Sequence, residues 1–184
     1  MREAFQHRTG AFGPEDPWFE ARSRAFWDDA LTTQGLAARA TRARDDAGEP
    51  ALLAIRYERA HRGLFLAQEV DDRGARLRDL WSGAELFVHH LDEAQAVAFE
   101  HAEGAIDGRV IATPKAELYV LPGAFHHAPD ALEPLLRVVE AARHRKMETG
   151  AVLDALLRME MVFRSSSRVK AGFAYRVESL AVRA

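Results

Sequence analysis

Cysteine is absent from this chain of 184 residues. Disulfide bonds, thiolate metal sites and cysteine nucleophiles are therefore excluded. The sequence also has no run of about 20 apolar residues, the length that a helix needs to cross a bilayer. Its first residues contain no apolar stretch typical of a signal peptide. These absences predict a cytoplasmic protein that does not act in a membrane.

Lysine is scarce, with three residues against 22 arginines. We interpret this bias as the composition of a GC-rich bacterial genome rather than a functional demand for guanidinium groups. The net charge of -3 gives no overall attraction to nucleic acid, so a nucleic-acid partner is not expected. The GxSxG, GxxxxGK and GxGxxG motifs are all missing. The absence of these motifs predicts no catalytic residue and no cofactor.

The even spread of apolar residues indicates one domain over residues 1–184. Its first part divides at a helix-start signal. Glycine and proline predict a loose arm over residues 1–14. Asp16-Pro17 is typical of an N-cap followed by proline in the first helical turn, and predicts helical sequence over residues 15–44.

The central part, residues 51–122, changes to a period of two. Leu53, Ile55 and Tyr57 alternate with small or charged residues, as a half-buried strand requires. Turn residues separate further segments of the same kind. We predict a meander of antiparallel strands that ends at Pro122-Gly123, and we favour strand over helix for residues 91–103.

The last part returns to helical periodicity. Apolar residues recur at steps of three and four, which predicts a helical pair over residues 129–164. Residues 165–184 are predicted to be a tail or an edge strand. The predicted fold is therefore α+β: a small antiparallel β-barrel or curled sheet of 5–6 strands, flanked by an N-terminal helix and a C-terminal helical pair.

Three segments in the central part carry a family resemblance: GLFLAQEV, RLRDLWSGAELFVHH and GRVIATPKAELYVLPGAFHH. Over residues 63–140 the chain resembles uncharacterised bacterial small β-barrel proteins with a C-terminal helical pair. In those proteins a strand ending in Asp-Leu, a turn with Ser-Gly or Thr-Gly and the next strand form a hairpin. The resemblance implies the fold and brings no activity.

Histidines are the first candidates for chemistry, because four of the eight form adjacent pairs: His89-His90 and His126-His127. Imidazole with nearby carboxylates is a suitable ligand set for zinc, manganese or iron. In a strand, however, adjacent side chains point to opposite faces, so at most one of each pair can serve a common site. The alternative is that these histidines are partly exposed residues at loop ends.

Two basic sets are candidates for phosphate binding. Arg168 and Lys170 follow three serines, although the end of a helix carries the wrong partial charge for an anion. Basic residues at that place more often bond the free helix carbonyls. The second set, Arg39, Arg42 and Arg44 with Asp79 and Ser82-Gly83, resembles the arginine pair and D-x-S-x-x-G motif of PilZ barrels, which bind cyclic di-GMP. Its spacing differs from the family's motif, because the serine comes one residue late.

Four aromatic residues lie within ten positions: Trp18, Phe19, Phe26 and Trp27. Together they cover more of a helix than one buried stripe can, so some are candidate anchors for a protein partner. Core packing alone is the alternative. We favour a non-enzymatic cytoplasmic interaction, adaptor or regulatory module, which a homodimer would suit. A metal-dependent hydrolase that uses the histidine pairs, and a regulator that binds a nucleotide or phosphate, remain as alternatives.

Overall fold

The structure of the chain is a computed structural model that describes residues 1–43, 48–165 and 167–180. Those residues contain eight α-helices and six β-strands. The helices are α1 (Arg2–Thr9), α2 (Phe19–Leu31), α3 (Leu36–Ala43), α4 (Glu49–Glu58), α5 (Glu93–Glu100), α6 (Leu132–His144), α7 (Thr149–Arg164) and α8 (Ala171–Ala174). The strands are β1 (His61–Val70), β2 (Gly74–Asp79), β3 (Glu85–His89), β4 (Ile106–Ala112), β5 (Leu118–Val120) and β6 (Phe125–His126).

Five of the strands close into a barrel. Around it the order is β1, β2, β3, β5 and β4, and β4 pairs with β1 to complete the ring. The sixth strand, β6, adds to β4. All of these pairings are antiparallel except that of β3 with β5, which is parallel with His89 opposite Tyr119. The predicted α+β barrel with flanking helices is confirmed.

The barrel interior follows the period of two. In β2, Ala75 and Leu77 are buried, whereas Arg76 and Arg78 are exposed. Alternation of this kind places one set of side chains in the core and the other in water. Phe99 of α5 packs against the same interior cluster. The barrel is therefore a packed core.

Two further apolar clusters join the helices to the barrel. α6 and α7 pack on each other and on Leu64 of β1, as the apolar stripes of the predicted helical pair require. At the other end of the chain, Phe5 and Phe12 pack against Ala25 of α2. Both terminal parts of the described chain thus lie against the barrel.

Residues 53–58 are helical, so the prediction of a strand there is wrong. They form the second half of α4, which starts beside Pro50 in its first turn. Proline suits that position because its missing N–H has no partner in a helix start anyway. Ala51, Ala54 and Tyr57 recur at steps of three and lie on the more buried side. The apolar run LLAI fits a helix and a strand equally well, and the start signal distinguishes them.

Residues 93–100 are also helical, against our preference for a strand. The side chain of Asp92 accepts a hydrogen bond of 2.8 Å from the backbone N–H of Gln95 and caps α5. The sheet, moreover, does not end at Pro122-Gly123. β6 follows that turn and pairs with β4, with Phe125 opposite Asp107.

The loose arm predicted for residues 1–14 is instead ordered structure. α1 spans most of it, and Phe5 and Phe12 are buried. The next helix begins at Phe19 rather than at Pro17, and the Asp16 carboxylate accepts from the N–H of Gly13. Beyond residue 164, the described residues contain α8 and a 3-10 turn but no strand. Tertiary contacts, which local composition does not show, order both ends.

Candidate functional site

Three arginines and three aspartates form a chain of ion pairs between the barrel and the surrounding helices. In order of contact they are Arg109, Asp29, Arg8, Asp154, Arg62 and Asp107. They come from β4, α2, α1, α7, β1 and β4 respectively. The sign of the charge alternates at every step, so each ion has neighbours of opposite charge. We call this set the Arg–Asp network.

Arg62 occupies one end of the Arg–Asp network. Its Nε and Nη2 lie 3.1 Å and 2.8 Å from the two carboxylate oxygens of Asp107, and its Nη1 lies 2.6 Å from Oδ1 of Asp154. Burial alone would lower the pKa of Arg62, but the two carboxylates outweigh it and raise that pKa above its usual range. Burial likewise opposes the ionised form of Asp107, yet Arg62 holds the pKa of that carboxyl below its usual range.

Arg8 continues the Arg–Asp network. Its Nη1 and Nη2 lie 2.7 Å from Oδ2 of Asp154 and 2.6 Å from Oδ2 of Asp29. The second oxygen of Asp29 accepts from Arg109 at 2.8 Å. Each of the three aspartates therefore has both oxygens bonded to a guanidinium group. With no free oxygen, these carboxylates are not placed to take a proton from a substrate, and the Arg–Asp network acts as a structural tie.

Arg22 is buried next to this network. Its guanidinium lies over the rings of Phe5, Phe12 and Phe125, with 5.1 to 5.9 Å to the ring centroids. Nη2 donates to the carbonyl and hydroxyl of Thr9, at 2.9 and 2.8 Å. Burial lowers the pKa of Arg22 to about 10. The aromatic cage stabilises the cation through cation–π contacts and fills the space that a ligand would need.

A second buried polar cluster joins α7 to the end of the described chain. Glu160 accepts a hydrogen bond from the hydroxyl of Tyr175, and the same hydroxyl lies 2.8 Å from Nδ1 of His127. Arg164 donates to the other oxygen of Glu160. Burial would raise the pKa of Glu160, but His127, Tyr175 and Arg164 together hold it at about 2. Glu160, His127 and Tyr175 are buried and bonded to one another, and we assign the cluster a structural role.

The two histidine pairs do not assemble into a metal site. The ring of His89 packs on that of Tyr119, whereas Nε2 of His90 lies 2.8 Å from the carbonyl oxygen of Asp71. His126 is half-buried in β6, and burial lowers its pKa. His127 belongs to the Glu160 cluster. Within residues 1–43, 48–165 and 167–180, no group of three or more histidine, aspartate or glutamate side chains could hold a metal ion.

The candidate phosphate sites differ in what surrounds them. Arg168 and Lys170 are both exposed, and Lys170 precedes the four-residue helix α8. In the PilZ-like set, the buried carboxylate of Asp79 already has local hydrogen-bond partners. It accepts from the backbone N–H groups of Trp81 and Ser82, and it lies 2.9 Å from Nε2 of His61.

The described arginines of the PilZ-like set lie outside the barrel. Arg39 and Arg42 lie on α3, and Arg39 donates to the carbonyl of Gln34. Arg44 falls outside the described residues. Phosphate or nucleotide binding at either set stays a prediction.

The four aromatic residues divide by exposure. Phe19 and Phe26 are partly buried against Phe5 and Phe12 and belong to the core. Trp18 is half-buried at the start of α2. The side chain of Trp27 lies on the side of α2 opposite Arg22 and Ala25, and the residue is 55% exposed. Trp27 is thus the one of the four that is best placed to meet a partner.

Three exposed aliphatic residues lie close together on α4, where our sequence analysis placed a strand. Leu52, Leu53 and Ile55 are 54%, 41% and 41% exposed. Only Ala54 of this helix is buried. A groove of about 190 Å³, lined in part by Leu53 and Tyr57, separates α4 from α3. Helical periodicity applied to residues 49–58 would have placed these aliphatic residues outside the buried stripe.

Comparisons with known proteins add no assignment: no family model matches the chain, and neither curated proteins nor solved structures give a match. The described residues contain no helix that is long and apolar enough to span a membrane. The class of the protein therefore comes from the structure alone: it is an α+β protein with a β-barrel and flanking helices.

Proposed function

We propose that this protein is a non-enzymatic interaction module of the bacterial cytoplasm, and that α4 is its main binding element. A helix that is apolar on all sides is typical of a buried position. α4 has apolar residues on its inner side and, at positions 52, 53 and 55, on its outer side, yet only Ala54 is buried. A binding partner that covers α4 would remove this mismatch.

The state of four buried carboxylates supports a binding role over a catalytic one. Asp29, Asp107 and Asp154 are saturated by arginines, and Glu160 is held ionised by its donors. An acid–base catalyst needs a group that reaches the substrate and can exchange a proton near neutral pH. These carboxylates meet neither condition. Exposed aliphatic side chains on a helix are instead typical of surfaces that bind other proteins.

Photo-crosslinking inside the cell tests this proposal. Leu52 is replaced with p-benzoylphenylalanine in the chromosomal copy, and the control carries the same residue at Arg78, which is exposed on β2. We expect a light-dependent protein adduct at position 52 and none at position 78, with the crosslinked peptide identified by mass spectrometry. Absence of any adduct at positions 52, 53 and 55 would contradict the proposal.

A further inference from the structure

The exposed side of α4 carries a charge pattern that indicates what covers it. Glu49, Leu52, Arg56 and Arg59 follow one another at steps of three and four residues, which places them on one side of the helix. We call these four residues, together with Leu53 and Ile55 beside them, the outer face of α4. This face has a negative charge at its start, aliphatic residues in its middle and positive charges at its end.

The charges of the outer face have no partner within the described chain. The side chains of Glu49, Arg56 and Arg59 make no ion pair or hydrogen bond with any described residue. By contrast, Glu58, which points towards α3, lies 4.0 Å from Arg42. The inner side of α4 thus has an internal partner for its charge, whereas the outer face does not.

A face with this order of charges is complementary to itself when it is turned around. If two copies of α4 pack antiparallel about a two-fold axis near residue 54, Glu49 of one copy lies beside Arg59 of the other, and the reverse pair forms at the opposite end. Leu53 then lies beside Ile55 of the other copy, and Leu52 lies beside the aliphatic stem of Arg56. A two-fold interface needs such self-complementarity, because the same patch serves both subunits.

We infer that the outer face of α4 binds the outer face of α4 in a second copy of this chain, antiparallel, to form a homodimer. This inference rests on the proposed function and names its partner. A parallel arrangement is disfavoured, since it would place Glu49 beside Glu49 and Arg59 beside Arg59. The same order of charges suits the helix dipole, and in the antiparallel pair it also matches each charged end to its opposite.

Charge reversal at the two ends of α4 tests both the partner and the orientation. Glu49→Arg and Arg59→Glu each place like charges opposite one another in the homodimer, and we expect each variant to weaken dimerisation at low salt by about tenfold. The double variant E49R/R59E restores opposite charges at both ends and should dimerise like the wild type. Sedimentation velocity gives the dissociation constants.

A mixture of the two single variants provides the sharpest readout. In a heterodimer of E49R with R59E, one copy is positive at both ends of α4 and the other is negative at both ends, so each end of the contact pairs opposite charges. The mixture should therefore dimerise at least as well as the wild type, although neither variant does so alone. Glu100→Arg, an exposed reversal on α5, is the matched control and should leave dimerisation unchanged.

Leu52→Arg places a positive charge beside Arg56 of the other copy and should weaken the dimer by at least about tenfold. Thermal melting of each variant checks the fold, which should be unaffected because these side chains are exposed. A wild type that stays monomeric, or a dimer indifferent to positions 49, 52 and 59, would overturn the inference. If position 52 then crosslinks to a different protein in the cell, the proposed function stands without the homodimer. No adduct at all would overturn both.

Discussion

Arg62 of β1 and Asp107 of β4 form a two-pronged ion pair across the strands whose pairing closes the barrel. Both side chains are almost completely buried. Such a pair is costly to desolvate, and its removal from one side leaves an uncompensated charge in the core. A single substitution at this pair, where β1 and β4 close the barrel, should therefore have a large effect on stability.

Arg62→Met should lower the free energy of unfolding by about 3–5 kcal/mol, because Asp107 loses its two-pronged ion pair and Asp154 loses one of its two arginine partners. Arg76→Met is the matched control, since Arg76 makes an exposed ion pair with Glu69. We expect the control to change stability by less than about 1 kcal/mol. Urea unfolding of both variants measures the difference, and equal effects would show that the buried pair contributes no more than the exposed one.

Asp28 should make the protein less stable as the pH rises from about 4 to about 6. Burial raises the pKa of Asp28 from 3.8 to about 6, although the N–H of Gly123 donates to its carboxylate. A folded-state pKa above the unfolded value favours the folded state at low pH. This contribution is complete below pH 3.8 and is lost as the pH rises through about 6.

Asp28→Asn should remove that loss. The amide oxygen can still accept from Gly123, but no buried charge forms. Relative to the wild type, the variant should gain up to about 3 kcal/mol of stability between pH 4 and pH 7.5, by the value of one pKa unit. Chemical unfolding over this pH range measures the gain. A constant difference between the two proteins would contradict the raised pKa.

Trp27→Ala should leave the free energy of unfolding within about 0.5 kcal/mol of the wild type, because the side chain is mostly exposed. Trp18→Ala, the control at a half-buried position, should lower it by about 2 kcal/mol. If Trp27 is an anchor for a protein partner, its side chain should also contribute about 2 kcal/mol to the free energy of binding that partner. If both variants lose stability alike and association is unchanged, the outer side of α2 belongs to the core alone.

Purified protein without a histidine tag should hold no stoichiometric zinc, manganese or iron. His89 and His90 bond to different neighbours, and His127 is engaged with Glu160 and Tyr175. A metal site needs several ligands that converge on one point. Elemental analysis of the protein measures the content. One metal ion per chain would return the metal-dependent hydrolase as the leading hypothesis.

The spacing of apolar residues predicted those helices and strands in which it follows a single period. Alternation of Ala75 and Leu77 with arginines was sufficient for β2, and apolar steps of three and four were sufficient for α6 and α7. For α4 the alternation of Leu53, Ile55 and Tyr57 was misleading, because a short apolar run satisfies both periods. The Glu49-Pro50 start signal was present and would have corrected the prediction.

The contacts among the buried polar groups could not be predicted from the sequence for a different reason. Arg8 and Asp154 are 146 residues apart, and Tyr175 and His127 are 48 residues apart. No spacing rule connects residues at such separations, and arginines are so frequent in this chain that none stands out. The surface on α4 that we propose for binding was not a candidate, because a helix exposes different residues from a strand. Of the proposed partner anchors, the exposed Trp27 on α2 was among the candidates that the sequence supplied.

The contact of Arg8 with Asp154 has a consequence for the order in which the chain acquires its structure during synthesis. α1 is made before α7, to which the carboxylate that it needs belongs. Phe5 and Arg22 likewise lack part of their final surroundings until Phe125 has been made. Until then α1 has only the nearby part of its aromatic cluster, Phe12, Ala25 and Phe26. A nascent segment with incomplete packing of this kind exposes apolar surface, which is what chaperones bind.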